Sequence, residues 1–282
     1  MTLPPDFQFS QGSLQDYVDC PRRFQLRYLL RVAWPAIEAE PALENEHHLQ
    51  QGAAFHRLVH QHLLGIAPER LSGSISDPDL ARWWHNYLTA PPPRLPTSRD
   101  PEIVLSAPVG GAGLASRHRL VATYDLVAVD AGQRAVIVDW KTFRQRPQRK
   151  WLAGRLQTKV YSYLLVRAGR HLNAGQPLQP EQVEMLYWFA SFPEAPQRFA
   201  YDVAQYHADE AYLGSLIEEI GHRGNGDFPL TVDERRCRYC AYRSLCQRGT
   251  TAGTFEAAED ELESGDDLDL VLDFEQIAEV AY

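Results

Sequence analysis

The residues Asp139-Trp140-Lys141 follow the apolar run Ala135-Val136-Ile137-Val138, near the end of an expected strand. Side chains alternate across a strand, so Asp139 and Lys141 share one face while Trp140 points to the other. With the preceding turn centred on Gly132, Asp125 is expected directly across from Asp139. Opposed carboxylates repel and weaken a sheet, whereas a divalent cation between them turns the same pair into ligands. A lysine amine beside such a pair can position or deprotonate an attacking water, which is the chemistry of metal-assisted phosphate ester hydrolysis. Alone, Asp-x-Lys is common, and an exposed strand end is its ordinary meaning.

The four cysteines form a second constellation, with Cys20 near one end of the chain and Cys237, Cys240 and Cys246 near the other. A Cys-x-x-Cys turn followed by a third Cys gathers three thiolates around one point, and Cys20 can close a tetrahedral or cubane site. Such a clasp makes everything between the cysteines fold as one body. Met1 to Gln8 has neither a basic start nor an apolar run, and no stretch approaches the roughly 20 apolar residues that span a bilayer. A cytoplasmic protein with no membrane contact is therefore expected, and a reducing compartment favours thiolate ligation over disulfides. A zinc ribbon shows two paired-Cys knuckles where this chain has one, although the spacing leaves a zinc site with four thiolates open.

A length of 282 residues permits one large domain. The formal charge of -9 argues against nucleic acid only if it is spread evenly, and residues 256–282 hold 11 acids with no Lys or Arg, leaving residues 1–255 at +2. The densest basic stretch is Arg144, Arg146, Arg149, Lys150, Arg155 and Lys159, a candidate face for a polyanion. The tail mixes its acids with Leu268, Leu270, Leu272, Phe274 and Ile277. It reads as a solubilising extension, or as a segment that docks a partner or covers a basic channel.

The elements that must position these groups follow from hydrophobic period and turn residues. Ser13 to Trp34 is helical in period with a break at Cys20-Pro21, and Arg23, Arg27 and Arg31 recur on one side. Residues 35–48 read as linker and Gln50 to Leu64 as a helix with Phe55, Leu58 and Val59 inward. Ala81 to Leu88 reads as a short aromatic helix, and the proline run Pro91 to Pro96 as a surface connection. Glu102 to Val109, Arg119 to Val129 and Ala135 to Lys141 predict a three-stranded antiparallel meander, with Gly110 to Gly113 as one of its turns. Residues 152–168 predict helix, Gln182 to Ala190 a buried strand, and Val203 to His222 a further helix before the cysteine turn.

Several motifs in one order then resemble the PD-(D/E)XK nuclease superfamily, and within it the iron-sulfur exonucleases related to RecB-like nuclease domains and CRISPR-associated exonucleases. They are Ser13-Leu14-Gln15-Asp16-Tyr17 through Cys20-Pro21-Arg22-Arg23-Phe24, then Gly52-Ala53-Ala54-Phe55-His56, Asp125, Asp139-Trp140-Lys141, Gln157-Thr158-Lys159-Val160-Tyr161, and Cys237-Arg238-Tyr239-Cys240 with Cys246. The resemblance implies an α/β fold with a restriction-endonuclease-like mixed sheet core flanked by helices, its N- and C-terminal helices joined by a 4Fe-4S cluster on Cys20, Cys237, Cys240 and Cys246. Residues 1–252 would form one nuclease domain with a helical insertion at about 60–98 and a clasp from 13–34 plus 230–250, leaving 253–282 as the acidic tail. It implies His56, Asp125, Asp139 and the Trp140 carbonyl as ligands for Mg2+ or Mn2+, Lys141 serving the attacking water, and Gln157 and Tyr161 reaching the nucleotide or bracing the lysine. Glu102, one strand earlier, is a candidate metal support, while His60 and His62 read as surface or core-edge residues. Relatives have a small residue shortly before the motif II aspartate, where this chain has Val121-Ala122-Thr123-Tyr124. The activity implied is a DNA exonuclease on single-stranded or frayed ends in repair, recombination or CRISPR-type processing, with a helicase or CRISPR-integration protein as partner. The rival is a non-catalytic iron-sulfur subunit that binds nucleic acid or supports assembly.

Overall fold

The computed structural model describes residues 3–33, 42–109, 117–223, 228–251 and 253–254. In chain order its elements are β1 (Gln8–Phe9), α1 (Gln11–Asp19), α2 (Pro21–Phe24), α3 (Ala42–Leu63), α4 (Pro68–Ser72), α5 (Pro78–Thr89), β2 (Ser98–Pro108), β3 (Arg119–Asp130), β4 (Arg134–Lys141), α6 (Arg149–Gly154), α7 (Leu156–Ala168), β5 (Val183–Phe189), β6 (Gln197–Ala200) and α8 (Val203–Arg223). β2, β3 and β4 form the expected antiparallel meander. The β3–β4 turn centres on Gly132, whose φ of +75° only glycine adopts freely, so that Asp130 faces Arg134 and Leu126 faces Val138.

β4 continues through α6 and α7 into the parallel strand β5, and β6 closes that edge antiparallel. The sheet is therefore mixed, with helices on both faces, as expected. β1 runs parallel to β3 at Arg119–Leu120, on the edge that β4 occupies at Leu126–Asp130. Both faces of β4 are buried: Ala135 and Ile137 join Tyr163, Leu164, Tyr187, Leu213 and Ile217 under α7 and α8, while Val136, Val138 and Trp140 join Phe55, Val59, Trp83 and Trp188 under α3 and α5. Double-sided burial explains why this strand reads as a continuous apolar run.

The N-terminal segment behaves as its residues dictate. Ser10 and Ser13 form a reciprocal cap on α1, Cys20 breaks the helix with an extended backbone, and Pro21 opens α2. A π-turn over Gln25–Leu29 follows, and Arg31, at φ +50°, does not continue the row of Arg23 and Arg27. Several boundaries differ from expectation; β2 starts at Ser98 rather than Glu102, and α5 at Pro78 rather than Ala81. α3 begins at Ala42 rather than Gln50, so residues 42–48, read as linker, form its first turns. The single helix expected over 152–168 is two, because Arg155 takes an extended conformation (ψ 142°) between α6 and α7. Residues 35–41 of the expected linker, the Gly110 to Gly113 turn and the acidic residues 256–282 lie outside the described residues, and no helix among those described is long and apolar enough to cross a membrane.

Candidate active site

The end of β4 delivers Asp139 and Lys141 to the α7 face of the sheet, both almost fully buried. Lys141 Nζ lies 2.8 Å from Asp139 Oδ2, and Gln157 Nε2, in the first turn of α7, donates to Asp139 Oδ1 at 2.6 Å. The Lys141 ammonium also sits 5.7 Å from the centre of the Tyr187 ring. The break at Arg155 lets α7 start where Gln157 meets the aspartate.

Asp125 faces the other way. Its Oδ1 is 3.1 Å from His56 Nδ1, and its Oδ2 accepts the Trp140 N–H at 2.9 Å. Alternation slips at this point of β3, since Tyr124 packs on the α7 side and Leu126, two residues on, packs on the α3 side. Across from it Glu102 has φ +53°, and the ladder between β2 and β3 skips the Glu102–Asp125 pair. The irregularity turns Asp125 toward α3 and stores strain of about 1–2 kcal/mol at a non-glycine residue. Tyr124 turns away from Asp125, its ring 4.8 Å from that of Tyr161 and its hydroxyl donating to the Tyr161 carbonyl.

α3 brings His56 to the site because Gly52, one turn earlier, lies against the residue after Lys141. A Cβ on Gly52 would sit 3.2 Å from Thr142 Oγ1. The Gly-x-x-x-His spacing thus has a packing cause: the glycine admits the helix and the histidine meets the carboxylate one turn on. Burial would raise the Asp125 carboxyl, but the His56 imidazole, the Trp140 amide and Lys141 together hold it below the usual aspartate range. Glu102 is pushed the opposite way by burial and by the Asp125 charge, against the pull of His60 and His56. His60 is half-buried, and its charge reaches Glu102. His62 is structural as expected, bonded to the Tyr87 hydroxyl.

The expectation of two carboxylates directly opposed on one face is corrected. The register is the expected one, yet pairing ends at Leu126–Val138, and each carboxylate leans to its own face and its own donors. Accordingly, among the described residues no three His, Cys, Asp or Glu are gathered closely enough to hold a metal ion as they stand. The residue types still suit a hard divalent cation: the His56 imidazole touches the Asp125 carboxylate where each side chain is about one-fifth exposed, and Glu102 stands opposite Asp125 on β2. The Tyr161 ring packs on that of Tyr124.

The basic stretch is less open than its sequence suggests. Arg155 is buried with its guanidinium 4.5 Å from the Trp151 ring centre, and Lys159 pairs with the buried Asp209 at 3.4 Å. Arg144 reaches Asp79 at 3.6 Å, and Arg149 lies 4.2 Å from the Phe199 ring centre. Arg146 is exposed and pairs with no described residue.

Cys20, Cys237, Cys240 and Cys246 line one recess together with Arg23, Arg236 and Arg243. Burial, aided by the neighbouring thiols, pushes Cys237 up to about 11, and burial also raises Cys240 and Cys246. Thiols among guanidinium groups are the residue type that a soft metal takes, although the four are not drawn tightly around one point. The chain ends are joined here independently of the thiols. Arg236 bonds to Asp19, the Arg22 N–H donates to the Pro229 carbonyl, and the Tyr242 hydroxyl donates to the Val32 carbonyl. The opening motif serves this junction: Asp16 receives Arg23 and Arg27, Tyr17 donates to Glu219 of α8, and Phe24 stacks on Phe228.

No curated protein matches the chain. Among solved structures, the protein SSO0001 is 15% identical across 86% of this chain and 87% of its own, with a TM-score of 0.39. The "Putative exonuclease" of Eubacterium rectale is 8% identical across 77% of this chain and 80% of its own, with a TM-score of 0.44. The pattern of one family matches residues 8–247, from β1 to just beyond the last cysteine, and so takes in both constellations. By that match the chain belongs to the PD-(D/E)XK nuclease superfamily.

Proposed function

We propose that the protein is a metal-dependent deoxyribonuclease, an exonuclease that acts on single-stranded or frayed DNA ends during repair, recombination or CRISPR-type processing. The observation that carries this reading is the meeting of α3, β3 and β4 at one end of the sheet, where His56 touches Asp125, Asp125 takes the Trp140 amide, and Lys141 touches Asp139. In the proposed assignment His56, Asp125, Asp139 and the Trp140 carbonyl hold Mg2+ or Mn2+, with Glu102 in support. When bound, the cation polarises the phosphate and acidifies the attacking water. Lys141 orients that water, which requires its ammonium to yield part of its bond to Asp139, and Gln157 keeps the carboxylate in place while it does so. Tyr161 holds α7 against Tyr124 and so keeps Gln157 in position.

Cys20, Cys237, Cys240 and Cys246 are proposed to carry a 4Fe-4S cluster that fixes the terminal segments. A helicase or a CRISPR-integration protein is the proposed partner, with the acidic tail as its docking segment. The test is anaerobic purification with iron and sulfide analysis, followed by digestion of end-labelled single- and double-stranded DNA in Mg2+ or Mn2+ by wild type and Asp139→Ala. Cleavage by wild type alone supports the reading; equal cleavage by both refutes the site. One observation favours a second reading, a non-catalytic nucleic-acid-binding subunit: Asp139 is already closed by Lys141 and Gln157. DNA binding by wild type with no cleavage under either metal would select it.

A further inference from the structure

The sheet row that contains Asp139 continues across two more strands. Asp139 is in register with Tyr187 on β5, and Tyr187 with Gln197 on β6. Tyr187 and Phe199 belong to the core under α7, and Gln197 alternates with Phe199, so Gln197 lies on the same face as Asp139 and Lys141. At strand spacing of about 4.8 Å, Gln197 sits about 10 Å from Asp139.

Gln197 is the floor of a recess of about 360 Å3 lined by Arg146, Pro147, Gln148, Arg149 and Pro196, within the roughly 300–1,000 Å3 of small-molecule sites. The loop that builds its wall runs directly on from Lys141. Gln197 is only 5% exposed, and its Nε2 donates to the Pro147 carbonyl at 3.1 Å. That bond fixes which end of the amide is which, and leaves Oε1 as a buried acceptor with no hydrogen-bond partner. A buried carbonyl oxygen without a donor costs about 1–3 kcal/mol and is satisfied by an N–H or O–H group of a ligand or of water. Above it, Arg146 is an exposed guanidinium paired with no described residue, and Arg149 is pinned over the Phe199 ring with a bond to the Arg198 carbonyl. One wall therefore wants an anion and the floor wants a donor. A nucleotide carries both, a phosphate and a base N–H.

We propose that this recess is a second nucleotide subsite, in which Arg146 takes a backbone phosphate and Gln197 Oε1 accepts from a base, holding the strand away from the cleavage position. The inference rests on the nuclease reading above. The 10 Å offset equals about three nucleotides of a stacked strand at 3.4 Å each, and fewer in an extended one.

The test is binding of fluorescent single-stranded oligonucleotides two to ten nucleotides long, in EDTA, across a salt series, by wild type, Arg146→Ala and Gln197→Met. Arg146 is exposed, so its variant folds as wild type. The expected result is that Arg146→Ala weakens binding about tenfold for oligonucleotides of four or more nucleotides, lowers the salt slope by about 0.7, and leaves dinucleotides unaffected. Gln197→Met should weaken the same long oligonucleotides without changing the salt slope. Equal loss for every length would mean a diffuse charge effect and would overturn the subsite, as would wild-type affinity in both variants. If those variants bind normally while Asp139→Ala abolishes cleavage, the subsite fails and the nuclease reading stands; if wild type neither binds nor cuts DNA, both fail.

Discussion

Replacing Lys141 by Met removes the ammonium 2.8 Å from Asp139 Oδ2 and keeps the volume, at a position only 1% exposed. At an effective dielectric of about 20 the attraction at that distance is about 6 kcal/mol, against a desolvation cost of several kcal/mol for each ion. Breaking a buried pair from one side typically costs about 3–5 kcal/mol, because the remaining charge stays buried. Asp139 keeps its bond from Gln157, so the lower end, about 3 kcal/mol, is expected for Lys141→Met. Asp139→Asn alone should cost about 2 kcal/mol, since the ammonium it leaves still feels Asp125. The double variant should return to within about 1 kcal/mol of wild type, because an amide and a thioether need no counter-charge. The cycle thus predicts a coupling of at least about 4 kcal/mol, against a reproducibility of about 0.5 kcal/mol. Urea unfolding at pH 7 in EDTA measures it, with an unchanged slope as the check that the unfolded state is the same. If the carboxylates dominated by repelling each other, as the bare sequence suggests, Asp139→Asn would stabilise the protein. That result, or additive single effects, would refute the reading that each carboxylate is held by its own donors.

Three further outcomes follow from particular residues. Glu102→Gly should raise stability by about 1 kcal/mol by relieving the φ of +53°, and lower metal-dependent cleavage, read by calorimetry and by the nuclease assay. Asp77→Ala should cost about 1 kcal/mol, because Asp77 caps α5 by accepting the Leu80 N–H at 2.9 Å. That bond holds the Asp77 carboxyl below its unfolded value, so the cap's contribution is full above about pH 4 and is lost as pH falls through the folded pKa. The acid-side slope of urea stability should therefore flatten in Asp77→Asn. Gly52→Ala should be tolerated because its Cβ meets only the movable end of Thr142, whereas Gly52→Val should displace α3 and cut cleavage at least tenfold with little change in melting temperature.

The central strands were legible because double-sided burial writes itself as an unbroken apolar run, and Gly132 set the β3–β4 register without ambiguity. The inward face of α3, the break at Cys20 and the shared face of Asp139 and Lys141 followed from period and from proline. What escaped were features that depend on partners distant in sequence. β1 and β6 are two and four residues long and exist only because β3 and β5 offer them an edge. The slip at Asp125 arises from Glu102 across the ladder, and no local pattern announces a positive φ at a glutamate. Gln197 carries no motif at all; only its burial and its idle oxygen give it away. The same limit misjudged the basic stretch, in which Arg155 and Lys159 turned inward to an indole and a carboxylate.

The junction of the two chain ends has a temporal side. Cys20 leaves the ribosome 217 residues ahead of Cys237, which at about 5–20 residues per second is roughly 10 to 40 seconds. Throughout that interval Asp19 lacks Arg236 and Val32 lacks Tyr242, although β1 meets β3 after about half of it. Translation that aborts before the final segment thus yields a polypeptide whose sheet is complete but whose segment from Asp19 to Val32 lacks these two partners. Quality control can read completeness from that one seam.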